Sequence, residues 1–417
     1  MTEPIRVLHF ADAHIGMENY GRTDSTTGLN SRLLDFVHRM DDICTYAKDT
    51  GVDLVIFAGD AFKSRAPSPT HQREFAYRIR DLAALAPVVL LEGNHDLPQM
   101  DRKASSIEIY DTLGVPNVYL ANTYSHQVIE TQRGPVFVAT APYPIRQRLG
   151  MNDGTQGKTI AELDLQLANQ LNITLETLAE EAEKHDMPRL LTGHFTISGA
   201  IFGSERQIML GRDVEAQRSV VADARWDYVA MGHIHRHQTV SADLPGAPPV
   251  VYSGSIERID FGEERDTKGF CSVQLVRGAT TWEFVPLTQC RPFASLKLDL
   301  RESADPTADV IREIEARNLK EAVVRVLVDL TPETEGRFSE DKIREALRRA
   351  GTWVIASISR HVERPARVRL GSSSEALSDI ELLERYLINR EVPPARRAAL
   401  LELADPILNA TTDDTGE

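Results

Sequence analysis

Two hydrophobic runs early in the chain stop in the same way, and this shared ending constrains the fold more than any other feature. Val55-Ile-Phe-Ala58 runs into Gly59-Asp60, and Val88-Val-Leu-Leu91 leads past Glu92 into Gly93-Asn94-His95-Asp96. Short apolar runs bounded by turn residues read as buried strands. A further strand is predicted over Arg6–Phe10, and apolar residues at Leu29, Leu33, Val37, Met40, Cys44 and Ala47 have helical spacing. With a second helix over about residues 70–85, the order becomes β-α-β-α-β. Such an order implies right-handed crossovers and a mostly parallel sheet, whose ligands gather beyond the carboxyl ends of the strands.

Metal-ligating side chains recur at these ends. Asp12 and His14 follow the first strand, and Gly193-His194 follows a strand over 189–192. Gly232-His233-Ile234-His235 follows one over 227–231. Glycine lets the backbone turn sharply and approach closely, and Asp-x-His or His-x-His puts both ligands on one side of an extended segment. A single histidine is most often a core or surface group, and His9 and His237 are read that way. The joint pattern, with five of the 12 histidines placed after strand ends, is what points to metal. Imidazole mixed with carboxylate favours first-row cations such as Mn²⁺, Fe²⁺ or Zn²⁺.

A chain of 417 residues has room for two or three domains. Its net charge of −15 argues against a free-standing basic nucleic-acid binder. The charge leaves room for a metalloenzyme acting on phosphodiesters, because bound cations reverse the local field. Cys44, Cys271 and Cys290 are scattered, as expected of reduced thiols in the cytoplasm rather than a disulfide framework. The amino terminus lacks signal-peptide architecture, and the longest apolar run, Leu82–Leu91, is too short to span a bilayer.

The pattern changes after a hairpin predicted over 270–286. Residues 1–290 are read as one domain and 291–360 as a small α+β module. Residues 361–374 are read as a flexible linker, 375–410 as a helix pair and 411–417 as a disordered tail. Ile380, Leu383 and Leu387 mark one face of the first terminal helix, either for a partner chain or for packing on their own module.

The order Asp-x-His, Gly-Asp, Gly-Asn-His-Asp, Gly-His, Gly-His-x-His resembles that of calcineurin-like metallophosphoesterases. Asp12-Ala-His-Ile-Gly16, Gly59-Asp-Ala-Phe62 and Tyr252-Ser-Gly-Ser-Ile-Glu-Arg-Ile-Asp-Phe-Gly262 resemble the SbcD branch, nuclease subunits of bacterial SbcC–SbcD complexes. The resemblance implies an αββα sandwich, with the α+β module as a capping domain and the helix pair docking on the coiled coil of an SbcC-type ABC ATPase. It implies a homodimer through helices near 70–85 and 105–113, within a heterotetramer acting on DNA. It also implies two divalent ions, manganese as the expected metal. Asp12, His14, Asp60 and His235 would hold one; Asp60, Asn94, His194 and His233 the other. His95 would stand beside them to protonate the leaving oxygen. Asp96 would either fix the His95 tautomer or serve the turn.

Two departures from the pattern are Lys63, where relatives carry His or Asp, and Ser253, where proline is common. Lys63, Arg102 and Lys103 are candidate substrate contacts, with Arg146, Arg148, Arg206 and Arg236 as further basic positions. The same ligand set would serve a phosphoesterase for small nucleotide esters. A fold that has lost its metals would make a non-catalytic scaffold, but all eight ligand positions are filled.

Overall fold

The computed structural model describes residues 3–98, 103–151, 159–203, 213–363, 378–390 and 392–408. Arg102, Arg206, most of the predicted linker and the predicted tail lie outside these residues.

The chain opens with β1 (Ile5–Phe10), α1 (Ser31–Thr50), β2 (Leu54–Phe57), α2 (Pro69–Ala83), β3 (Val88–Leu91), α3 (Ile109–Thr112) and β4 (Val118–Ala121). Next come β5 (Ser125–Thr131), β6 (Gly134–Ala141), α4 (Ile160–Glu183), β7 (Arg189–His194), β8 (Thr196–Ile197), β9 (Glu215–Ala216) and α5 (Arg218–Val221). They lead to β10 (Tyr228–Gly232), β11 (Gln238–Thr239), β12 (Val250–Tyr252), β13 (Gly269–Leu275) and β14 (Thr281–Pro286). One six-stranded sheet has the order β14-β13-β1-β2-β3-β4 and the other β11-β12-β10-β7-β6-β5. Pairings among β1 to β4, and along β6-β7-β10-β12, are parallel, while the outer pairs are antiparallel.

Side-chain alternation stacks these elements into four layers. Leu8, Phe10, Val55, Phe57, Val88 and Leu90 face helices α1 and α2, meeting Leu33, Phe36, Met40, Phe75 and Ile79. The alternate residues Val7, Leu54, Ile56, Val89 and Leu91 meet Val136, Val138, Leu190, Tyr228 and Val251 of the second sheet. Phe137, Leu191, Val229 and Val250 then meet Leu167, Leu171, Leu175 and Leu178 of α4. Strands buried on both faces read as continuous apolar runs, which is why β2 and β3 were legible as strands. The αββα sandwich expected from the resemblance is the fold observed.

Helix ends follow capping chemistry. Thr159 and Glu162 form a reciprocal capping box at α4, and Ser68 accepts the His71 N–H with Pro69 at the first turn of α2. Each such cap is worth about 1 kcal/mol.

The remaining elements are β15 (Phe293–Asp299), α6 (Pro306–Glu315), β16 (Val323–Leu330), α7 (Pro332–Glu335), α8 (Glu340–Arg349), β17 (Val354–Val362), α9 (Asp379–Asn389) and α10 (Pro394–Leu408). A three-stranded sheet takes the order β15-β16-β17. Two compact units emerge: Met1–Leu296, Ile311–Val326 and Asp341–Ile358 form one, and Lys297–Val310, Leu327–Glu340 and Ser359–Glu417 the other. Among the described residues no helix is long and apolar enough to cross a membrane.

Candidate metal centre

The loops after β1, β2, β3, β7 and β10 meet at one rim of the sandwich. Three overlapping clusters form there: Asp12 with His14 and His235, His14 with Asp60 and His95, and Asp12 with Asp60 and His194. In each cluster the ligand atoms lie within 4.8 Å of one another. Asn94 and His233 extend the set, because Asn94 Oδ1 lies 3.1 Å from both His194 Nε2 and His233 Nδ1. All seven predicted ligand residues therefore share one locus.

The backbone is bent to bring them there. Asp12, His14, Asp60 and His233 all have positive φ, at 53°, 40°, 59° and 92°. For residues with a Cβ this region is costly, about 1–3 kcal/mol each, and such outliers cluster at functional sites. Glycine is needed beside them for space. A Cβ on Gly59 would meet His194 Nδ1 at 2.3 Å, and one on Gly93 would meet Asp60 Oδ1 at 2.1 Å.

The hydrogen bonds fix where the lone pairs point. His194 Nδ1–H donates to the Ala58 carbonyl at 2.7 Å, leaving Nε2 to face Asp60 Oδ2 at 3.4 Å. His235 Nδ1–H donates to Glu263 Oε1 at 2.8 Å, so its Nε2 lone pair faces His14 Nε2 at 3.0 Å. His233 Nε2–H donates to Asp213 Oδ2 at 2.6 Å, leaving Nδ1 toward Asn94. His14 Nε2 lies 3.7 Å from the same oxygen, Asp60 Oδ2. Acceptors thus converge on acceptors around Asp60 Oδ2, an arrangement that bound cations satisfy. The donor set fits first-row divalent ions.

Electrostatics agree. Burial holds the His14 imidazole well below its usual range, favouring the neutral ligand form. Burial pulls His194 down as well, yet the Asp60 and Asp12 charges push it up to about 9. A proton and a cation therefore compete for one Nε2 lone pair. Asp60 is held well below the usual carboxylate range: burial opposes its charge, but His194, His95 and His14 outweigh that.

His95 stands half-buried at the rim, its ring edge-to-face with His14 at 4.9 Å. Its Nδ1–H donates to the Lys63 carbonyl at 2.8 Å, so Nε2 is the nitrogen left to exchange a proton. Of the two roles open to Asp96, the turn role matches the contacts. Its carboxylate accepts the N–H groups of Ala61, Phe62 and Gly93, pinning two motif loops together, and the His95 tautomer is fixed by Lys63 instead. Backbone donors satisfy this buried carboxylate, as its turn role requires.

The basic positions fare unevenly. The Lys63 side chain reaches Asn19 at 3.3 Å, so its contribution at the rim is the backbone carbonyl. Lys103 and Arg236 are exposed. Arg148 is held in an ion pair with buried Glu92 at 2.6 Å. His237 stacks on Phe284 at 3.9 Å, and His9 bonds Tyr228 between the sheets, as structural histidines should. Within the second unit Leu387 is buried, while Ile380 and Leu383 are half-buried.

Two residues at the rim escaped the sequence reading. Glu263 immediately follows the Tyr252–Gly262 stretch and could have been found by extending that motif one residue. Asp213 has no comparable signal, lying 20 positions from His233 on a separate segment anchored by the β8–β9 pair.

Residues 5–237 match the model of the calcineurin-like phosphoesterase family, and the chain belongs to that family. Its class is that of metal-dependent phosphoester hydrolases. Within it, the chain is similar to the SbcD subunit of the SbcCD nuclease of Bacillus subtilis (strain 168), 28% identical over 305 residues covering 70% of this chain and 72% of that protein. Among solved structures it is similar to TT1561 of Thermus thermophilus, with a TM-score of 0.38 at 14% identity over 68% of this chain and 99% of that one. A dimetal phosphatase from Danio rerio gives 0.44 at 10% identity, over 68% and 96%.

Proposed function

We propose that the chain is a manganese-dependent DNA exo- and endonuclease, acting in the processing of broken and hairpin-ended DNA as the SbcD-like subunit of a complex with an SbcC-type ABC ATPase. The observation that carries the chemistry is the convergence of lone-pair donors around the Asp60 carboxylate, in a chain of the phosphoesterase family. In this reading Asp12, His14, Asp60 and His235 hold one cation, and Asp60, Asn94, His194 and His233 the other. When bound, paired cations supply an activated nucleophile and stabilise charge on the attacked phosphodiester. His95 Nε2, oriented by the Lys63 carbonyl, donates a proton to the departing sugar oxygen.

DNA and the ATPase are supported by the similarity to the Bacillus subtilis nuclease subunit and by the order of modules after residue 290. Residues 291–360 act as a capping domain, 361–374 as a linker and 375–410 as the ATPase-docking helices, with the protein a cytoplasmic homodimer. Lys103, with Arg102 and the Lys63 side chain, would make peripheral contacts to DNA.

An assay of purified protein with Mn²⁺ on DNA hairpins, linear duplex and cyclic nucleotides tests the proposal. Cleavage of both DNA forms is expected, and hydrolysis confined to cyclic nucleotides would replace it with a small-phosphodiester enzyme.

A further inference from the structure

Two of the rim imidazoles have a carboxylate behind them, and the two carboxylates are not alike. Glu263, behind His235, also bonds Lys268 Nζ at 2.8 Å, with both side chains fully buried, and accepts the Ile259 N–H at 2.9 Å. Its charge is matched by the lysine. Asp213, behind His233, takes its other hydrogen bonds from neutral donors only: Tyr143 Oη at 3.1 Å, Thr196 Oγ1, and the N–H of Val214 at 3.0 Å. Among the described residues no lysine or arginine pairs with it, and its side chain is 7% exposed. Its attraction for the His233 ring is therefore screened less than that of an exposed carboxylate.

His233 also needs external support more than its neighbour. Its φ of 92° lies in the left-handed region, whereas His235 does not share that strain. Two bonds hold it there: its N–H to the Asp12 carboxylate at 3.1 Å, and its Nε2–H to Asp213 at 2.6 Å. The first fixes the backbone and the second fixes the ring, so that Nδ1 faces Asn94.

We propose that Asp213 is the positioning residue of the His233-side cation, setting the His233 tautomer and supplying a negative charge that the Glu263–Lys268 pair does not supply on the other side. Ligand-backing carboxylates of this kind are worth about 10–100-fold in metal affinity. The inference rests on the paired-cation reading above.

Mn²⁺ titration of the full chain, followed by calorimetry and electron paramagnetic resonance, tests it. Wild type should bind two ions, giving the signal of an exchange-coupled pair. Asp213→Asn should keep one ion at wild-type affinity and bind the second about 10–100-fold more weakly. The isolated-ion spectrum would then persist at ratios where wild type is coupled. Asp213→Ala gives the same reading if the asparagine variant does not fold. Two ions bound at wild-type affinity in a folded variant, or equal weakening of both, would overturn the role of Asp213. Fewer than two ions in wild type would instead overturn the paired-cation reading itself.

Discussion

The rim of the sandwich and the terminal helix pair are opposite ways of leaving chemistry unfinished. At the rim every imidazole has one nitrogen committed within the chain or aimed at the common centre, and the groups left over are lone pairs that a cation completes. On α9 and α10 the groups left over are apolar: Tyr386, Ile388, Leu403 and Ile407 are 48%, 47%, 68% and 75% exposed. Lone pairs held at fixed distances specify an ion, whereas apolar side chains on a short helix pair specify only that something dry should cover them. The comparison also shifts attention within the helix pair. The sequence reading chose Ile380, Leu383 and Leu387, yet the most exposed large apolar groups lie on α10, which shows no buried residue. Burial of Leu387 fits packing within its own module.

Four variants test this contrast. Glu263→Ala should be the most costly, because it leaves buried Lys268 with only the Asp266 carboxylate at 3.7 Å and the His235 carbonyl. A loss of about 3–5 kcal/mol of stability is expected from urea unfolding, and wild-type stability would show that the rim does not depend on its buried ion pair. Burial raises the Glu263 carboxyl, but Lys268 and His235 outweigh that and hold it far below its ordinary 4.5. Its contribution is therefore complete above about pH 4.5 and is lost as pH falls through the folded value.

His95→Gln should come next. With both cations retained, DNA hydrolysis should fall by about 10²–10³-fold, and unchanged rates would take His95 out of the proton-transfer role. Leu403→Asp with Ile407→Asp should weaken binding to a co-expressed SbcC-type ATPase by about 10-fold or more, with basal metal-dependent hydrolysis intact. Retained co-purification would return the docking role to α9. Smallest of all, Lys63→Ala should change hydrolysis by less than about two-fold, since the backbone carbonyl that holds His95 survives and surface changes are usually mild. A large loss would restore the side chain as a phosphate contact.

The sequence made the frame and the rim legible for the same reason. Buried parallel strands leave unbroken apolar runs, so Val88–Leu91 was placed to the residue, and ligands directly after such runs fall at one edge. The helix predicted around 105–113 shrank to Ile109–Thr112 because a single turn carries little periodic signal. The two-residue strands β8 and β9 left no pattern to find. The partners of Asp96 stayed hidden because they are backbone N–H groups that no sequence spacing reveals. Asp213 was invisible because its bond to His233 exists only after the chain folds back between β8 and β9.

Asp60 is the carboxylate that both predicted ligand sets share, and counting metal on its variant is the sharpest test of that sharing. Wild type and Asp60→Ala would each be loaded with Mn²⁺, passed through a desalting column and measured by elemental analysis. Two ions per chain in wild type and essentially none in the variant are expected, since each cation loses a ligand and the charge that holds it. Two ions retained by folded Asp60→Ala would contradict the shared-carboxylate centre.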